Sequence, residues 1–239
     1  MSIKKQIIAI GGSGFASSDK YGHDKLAMER YFLAQTGKEN PRVCFIPTAS
    51  GDAPVYIVNF YQAFNALDCR PSHLSLFNLP TADLESFIMH QDAIFVGGGN
   101  TKSMIALWRE WKLDRYLRQA WEAGVVVGGV SAGSICWFEE GVTDSIPGDL
   151  TRVAALGFLK GSNCPHYDGE KNRRPMYKKL LLEGKIGPGL AIDDYVAVRF
   201  VDDKIKEIFS LNPDAYAYLV SNNAGEIVEK KILVDGSLE

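Results

Sequence analysis

One unit recurs in the sequence and limits what the chain can fold into. A short apolar run closes on glycines and is followed by an amphipathic stretch. "QIIAIGGSG" from residue 6, "AIFVGGGNT" from residue 93 and "VVVGGVSAGS" from residue 125 all follow this pattern. Runs of four or five apolar residues ending in glycine read as buried strands, and the segments after them have helical periodicity. Strands are expected at Gln6–Ile10, Val43–Pro47, His73–Phe77, Ala93–Val96 and Val125–Gly128. Helices are expected at Lys25–Gln35, Val55–Leu67, Ala82–Met89, Lys102–Trp108 and Lys112–Ala123. Such alternation predicts an α/β fold, a mostly parallel sheet with helices on both faces. After Pro188 the rhythm changes to successive short strands, with an acidic turn at Asp202–Asp203 and a hairpin around Asn222–Gly225. No linker or repeat interrupts the 239 residues, so residues 1–239 read as a single domain with a β-rich C-terminal part.

In sheets of this kind ligands sit beyond the carboxyl ends of the strands. The most informative strand end is Gly129-Val130-Ser131-Ala132-Gly133, a Gly-x-Ser-x-Gly pattern between an apolar strand and "SICWF". A strand that turns abruptly into a helix leaves its central residue strained and exposed, and only small neighbours fit beside it. N–H groups of the helix starting near Ala132 can stabilise negative charge on an attacked carbonyl. Ser131 is therefore the candidate nucleophile, and a plain glycine turn is the bland reading.

A serine nucleophile needs a base and an orienting acid. His166, in "CPHYDGEKNRRP", is the only histidine after Ser131. It lies in a polar, loop-like setting and is the candidate base. His23 and His73 lie in less suggestive places, and His90 ends a helical pattern and is expected at the surface. Asp193 and Asp194 close the apolar run "GLAI", and one of them buried beside a histidine would hold its tautomer. The resulting order is Ser, His, Asp. An α/β-hydrolase has its histidine last, so that fold family is disfavoured.

The turn Gly97–Asn100 lacks the Gly-Lys-Ser/Thr ending of a phosphate loop. It reads as a helix start capped by Asn100 or Thr101, or as a source of backbone N–H donors. "IGGSG" carries only part of a dinucleotide fingerprint. Lys171, Arg173 and Arg174 cluster at a helix start, an unfavourable place for cations, and could border an anionic substrate group. The four cysteines have no metal-type spacing, the four histidines form no zinc motif, and a reduced, cytoplasmic setting is expected. A net charge of −3 gives no reason to expect nucleic acid or membrane partners. No signal peptide is expected, because the apolar run after Lys4 and Lys5 is too short.

Taken in order, "IIAIGGSGF", "FIPTAS", "FVGGGNT", "GGVSAGS", "PHYDGEKNRRP" and "GLAIDDYVAV" resemble the peptidase E (aspartyl dipeptidase) family of serine peptidases, which is related to cyanophycinase. The resemblance covers nearly the whole chain. It implies a class I glutamine-amidotransferase-like fold and a Ser–His–acid triad of Ser131, His166 and, of the two aspartates, Asp194. It further implies oxyanion donors at Gly99 or Asn100 and at the N–H of Ala132. Cleavage of dipeptides with an N-terminal aspartate is implied too, with Arg173, or failing that Arg174, holding the acidic side chain. Related amidotransferases carry cysteine at the elbow. Here Cys136 lies five residues beyond Ser131, within the following helix, which disfavours a thiol mechanism. No metal or cofactor is expected, and the partner is a small peptide acted on by a monomer or homodimer. Two alternatives remain: a cyanophycinase-like or isoaspartyl-directed peptidase with the same triad, and a non-catalytic binding protein on the same scaffold.

Overall fold

The computed structural model describes residues 4–16, 22 and 24–239, so His23 lies outside the described residues. Two sheets carry the architecture. The first joins β1 (Gln6–Ile10), β2 (Arg42–Ile46), β3 (Arg70–His73), β4 (Ala93–Val96), β5 (Val126–Val130), β10 (Val196–Val201) and β11 (Lys204–Ser210), in the order β11-β10-β1-β5-β4-β2-β3. Its five N-terminal strands are mutually parallel, while β10 and β11 add an antiparallel margin.

Residues of β1 alternate between two core clusters. Ile7 and Ala9 join one, and Ile8 and Ile10 join the other. Helices α1 (Ala27–Ala34) and α2 (Pro54–Phe64) cover the Ile8 face through Met28, Phe32, Phe60 and Phe64. On the Ile7 face lie α3 (Leu84–Met89), α4 (Thr101–Glu110) and α5 (Leu113–Glu122), with the one-turn α6 (Ala132–Ile135). Side chains start two of these helices. Asp83 accepts the Ser86 N–H at 2.9 Å, and Asn100 accepts the Ser103 N–H at 2.9 Å.

The second sheet is mixed and follows the order β13-β12-β9-β8-β6-β7. It consists of β6 (Phe138–Thr143), β7 (Thr151–Ala154), β8 (Leu159–Cys164), β9 (Gly189–Ile192), β12 (Ala217–Asn223) and β13 (Glu226–Ile232). Leu159, Leu190, Ile192 and Ala217 join the same cluster as the Ile7 face, so this sheet packs on the first from that side. Its other face is covered by α7 (Arg173–Leu182), through Tyr177, Leu180 and Leu181.

Two differences from the sequence reading have physical causes. The third strand was expected at His73–Phe77 but runs at Arg70–His73. Pro71 is tolerated there because β3 is an edge strand, where a missing N–H costs no ladder bond. The apolar Leu74 and Leu76 bury themselves beyond the strand as irregular chain. The helix after Ser131 ends at Ile135, so Cys136 is its C-cap rather than an interior residue. The chain then enters β6, whose "FEEGVT" lacks a clear apolar alternation.

Candidate active site

The elbow at the end of β5 is a region of very close contacts. A Cβ on Gly129 would stand 2.2 Å from the Val96 carbonyl oxygen, and one on Gly133 2.1 Å from the same atom. Only glycine lets β5 turn into α6 against β4. Between them Ser131 has φ 58° and ψ −113°, a strained conformation for a residue with a side chain. Its N–H donates to the Ile10 carbonyl at 3.2 Å, which ties the elbow to the end of β1.

Two residues further along β1's exit, Gly12 lies against the partner groups. A Cβ there would come within 2.0 Å of Asp194 Oδ1 and 2.4 Å of His166 Nδ1. His166 follows β8 and Asp194 follows β9. His166 Nδ1 and Asp194 Oδ1 share a hydrogen bond of 2.7 Å, with the two side chains 21% and 27% exposed. This bond leaves Nε2 as the free ring nitrogen. His166 has φ 56° and Tyr195 φ 66°, so positive-φ residues frame both sides of the pair. The Asp194 N–H donates to Asp168 Oδ1 at 2.7 Å, and the Tyr195 N–H to the Gly12 carbonyl at 2.6 Å. Neither Gly12 nor Asp168 stood out in the sequence as a site residue. Gly12 carried a signal only as part of a glycine turn.

The other aspartate of the pair has a different place. Asp193 is 3% exposed, and its Oδ2 accepts the Tyr216 N–H at 2.8 Å. Its own N–H donates to the Tyr216 carbonyl at 3.0 Å. Burial, with Asp168 and Asp194 nearby, pushes its carboxyl up to about 6. Asp193 thus anchors the strand end, while Asp194 meets the histidine.

The turn Gly97–Asn100 borders the serine: a Cβ on Gly98 would lie 3.3 Å from Ser131 Cβ. Of its N–H groups, Gly98 donates to Tyr56 Oη at 3.2 Å and Asn100 to the Ala49 carbonyl at 2.7 Å. Asn100 is therefore not an available oxyanion donor. Its side chain is also committed, capping α4 and donating to the Ser145 carbonyl at 2.9 Å. The N–H groups of Gly99 and Ala132 find no acceptor among the described residues. Gly99 has φ 136° and packs so closely on Ala49 that a Cβ would reach its carbonyl oxygen at 2.2 Å.

The two arginines are already neutralised. Arg173 is buried and donates to Glu170 at 2.6 Å and to the Val142 carbonyl at 2.8 Å, with Asp144 3.6 Å away. Arg174 makes a two-pronged bond to Glu229 at 3.1 and 3.0 Å and lies over the rings of Tyr167 and Tyr218. Cys136 is fully buried, which pushes its thiol well above the ordinary range and leaves no thiolate to act at the elbow. Among the described residues no group of three or more histidine, cysteine, aspartate or glutamate side chains could hold a metal ion, and no helix is long and apolar enough to cross a membrane.

Comparison with known proteins adds to this geometry. The model of peptidase family S51 matches residues 7–208. The chain is 54% identical over 225 residues to the uncharacterized peptidase YgaJ of Bacillus subtilis (strain 168), covering 94% of this chain and 96% of that one. A crystal structure of a peptidase from an acI-B1 Actinobacterium superposes with a TM-score of 0.68 at 14% identity, covering 100% of this chain and 98% of the other. The crystal structure of a putative peptidase E protein from Listeria monocytogenes EGD-e gives 0.64 at 20% identity, with 87% and 100% covered. At these identities the two crystal structures bear on the fold alone.

Proposed function

Because the chain belongs to peptidase family S51 and is a serine-type peptidase, we propose that Ser131, His166 and Asp194 are its catalytic triad and that short peptides are its substrates. The observation that carries this reading is the 2.7 Å bond between His166 and Asp194, held against Gly12, two residues after the Ile10 carbonyl that takes the N–H of the strained Ser131. Asp194 fixes the ring so that Nε2 is free to act as base, and its charge favours the imidazolium that forms. Ser131 Oγ attacks the scissile carbonyl carbon and gives its proton to Nε2. The tetrahedral oxyanion is taken by the N–H groups of Gly99 and Ala132, each donor contributing about 3–4 kcal/mol in comparable sites. His166 then protonates the departing amine, and water, activated by the same nitrogen, hydrolyses the acyl-enzyme.

The substrate reading is narrower and rests on the sequence resemblance to peptidase E: dipeptides with an N-terminal aspartate. With Arg173 and Arg174 both paired, a substrate carboxylate has to displace Glu170 or Glu229 to reach either one. The class I glutamine-amidotransferase-like arrangement belongs to the same reading. So does a reducing cytoplasmic setting, which four free thiols suit. Wild-type and Ser131→Ala protein assayed on α-Asp, β-Asp and neutral dipeptides test both levels. The expected result is a loss of at least about 10⁴-fold in the variant on every substrate the wild type cleaves. Undiminished hydrolysis by Ser131→Ala would falsify the nucleophile. A preference for neutral or β-linked dipeptides would move the substrate assignment and leave the chemistry in place.

A further inference from the structure

The proposed nucleophile and base come from different sheets. Ser131 ends β5 of the first sheet, and His166 follows β8 of the second. Their spacing is therefore set at the packing boundary between the sheets, where α6 lies. Much of that boundary is apolar, and apolar packing is not directional. At its Asp194 end the Tyr195 N–H donates to the Gly12 carbonyl, and from α6 a buried side-chain hydrogen bond also crosses it. Ser134, three residues after Ser131, is fully buried, and its hydroxyl donates to Asn163 Oδ1 at 3.1 Å. Asn163, three residues before His166, is also fully buried, and its Nδ2 donates to the Leu190 carbonyl on β9 at 3.4 Å. The Ser134 N–H donates to the carbonyl of Ser131 itself at 2.9 Å. The chain of bonds thus runs from the elbow, across the sheet boundary, to the strands that precede His166 and Asp194.

We propose that Ser134 and Asn163 are positioning residues that set the distance and direction from Ser131 to His166, an inference that rests on the reading of those two as nucleophile and base. A hydrogen bond constrains angle as well as distance. A buried one with no water to compete is costly to leave unmade, so it holds its register. The Asp194–His166 bond uses the other ring nitrogen, Nδ1.

The test uses the full chain with a serine-directed phosphonate and a cleavable dipeptide. In Ser134→Ala the rate constants for phosphonate labelling and for kcat are expected to fall about ten- to hundredfold, with KM held within about twofold. The final labelling stoichiometry stays complete, because the fraction of folded sites is unchanged. Ser134→Ala leaves Asn163 Oδ1 unpaired, so a second variant, Ser134→Ala with Asn163→Leu, removes both polar partners and the associated stability cost. It is expected to melt closer to the wild type than Ser134→Ala does, short of it only by the long Asn163–Leu190 bond it also removes, while its rate constants stay low. Wild-type rate constants in either variant, or a loss confined to labelling stoichiometry, overturn the inference while leaving the triad intact. Wild-type protein that neither labels nor hydrolyses any dipeptide overturns the triad reading and this inference with it.

Discussion

Around Ser131 the chain is pinned by contact distances, whereas around His166 and Asp194 it is pinned by charge and hydrogen bonds. At the elbow, Gly129 and Gly133 leave no room between α6 and the Val96 carbonyl, and Ser131 is held at φ 58° by that packing. At the histidine, the 2.7 Å bond to Asp194 and the Asp168 bond to the Asp194 N–H do the holding, and both side chains are partly open to solvent. A proton-transferring pair needs access to substrate and a defined tautomer. A strained nucleophile needs a rigid mount. Volume changes should therefore damage the first region, and changes of charge the second, where Gly12 also packs against the pair.

The largest expected effect tests the charged half. Asp194→Asn keeps the shape but offers the ring the wrong partner, so kcat should drop by roughly 10⁴-fold. The fold should be little altered at a side chain this open, which circular dichroism and a melting curve would check. A drop below tenfold would mean that the pair is not what organises the histidine. Next comes the packed half. Gly133→Ala puts a methyl 2.1 Å from the Val96 oxygen, so the strand or helix must shift. A destabilisation of about 2–4 kcal/mol in urea unfolding is expected. If Gly133→Ala melts like the wild type, steric pinning is not what shapes the elbow.

Asp193 sharpens the comparison, because burial rather than pairing governs its charge. Its carboxyl is raised to about 6, so the folded state prefers the protonated form. The sign follows: this group costs the fold nothing below about pH 4, and its cost is complete above about pH 6. Asp193→Asn can still accept the Tyr216 N–H. It should be more stable than wild type by up to about 3 kcal/mol at pH 7, with the gain vanishing near pH 4. Equal stability at both pH values would show that water or a neighbour already relieves the buried charge. The smallest effect is expected at Glu229, where Tyr167, Arg174 and Lys178 converge. Arg174 and Lys178 hold its carboxyl down at about 2. That contribution is present at neutral pH and lost as pH falls from about 4.5 to 2. Arg174 is 43% exposed, so solvent screens the pair, and Glu229→Gln should cost about 1 kcal/mol at pH 7. A much larger loss would mean that the aromatic rings around Arg174 shield the pair from water.

Much of the first sheet was legible along the chain, because β1 and β4 are short runs buried on both faces, and such strands announce themselves by composition. In the second sheet the β12–β13 hairpin was expected around Asn222–Gly225, whereas β6, β7 and β8 were hidden. "FEEGVT", "TRVA" and "LKGSNC" mix charged, glycine and buried positions, and β6 and β8 pair across an intervening strand and loop rather than as neighbours in a hairpin. The elbow could be read from five consecutive residues. Asp193 and Asp194 could not be told apart, since neighbours on a strand end point to opposite sides. Asn100 looked like a free donor, and only the packing of Ala49 against the turn showed its N–H to be taken.

By itself the sequence determined the alternating frame of strands and helices, the place of the serine turn, and the family to which the order of motifs belongs. Those depend on local period and on small residues at close-packed turns, which neighbouring residues encode. The tertiary structure alone decided which N–H groups stay unpaired and that both arginines already hold carboxylates, and it placed against His166 the aspartate that only the family resemblance had favoured. Each of these is settled by contacts between segments dozens of residues apart. Hydrogen bonds and burial across such gaps leave no periodic trace in the chain.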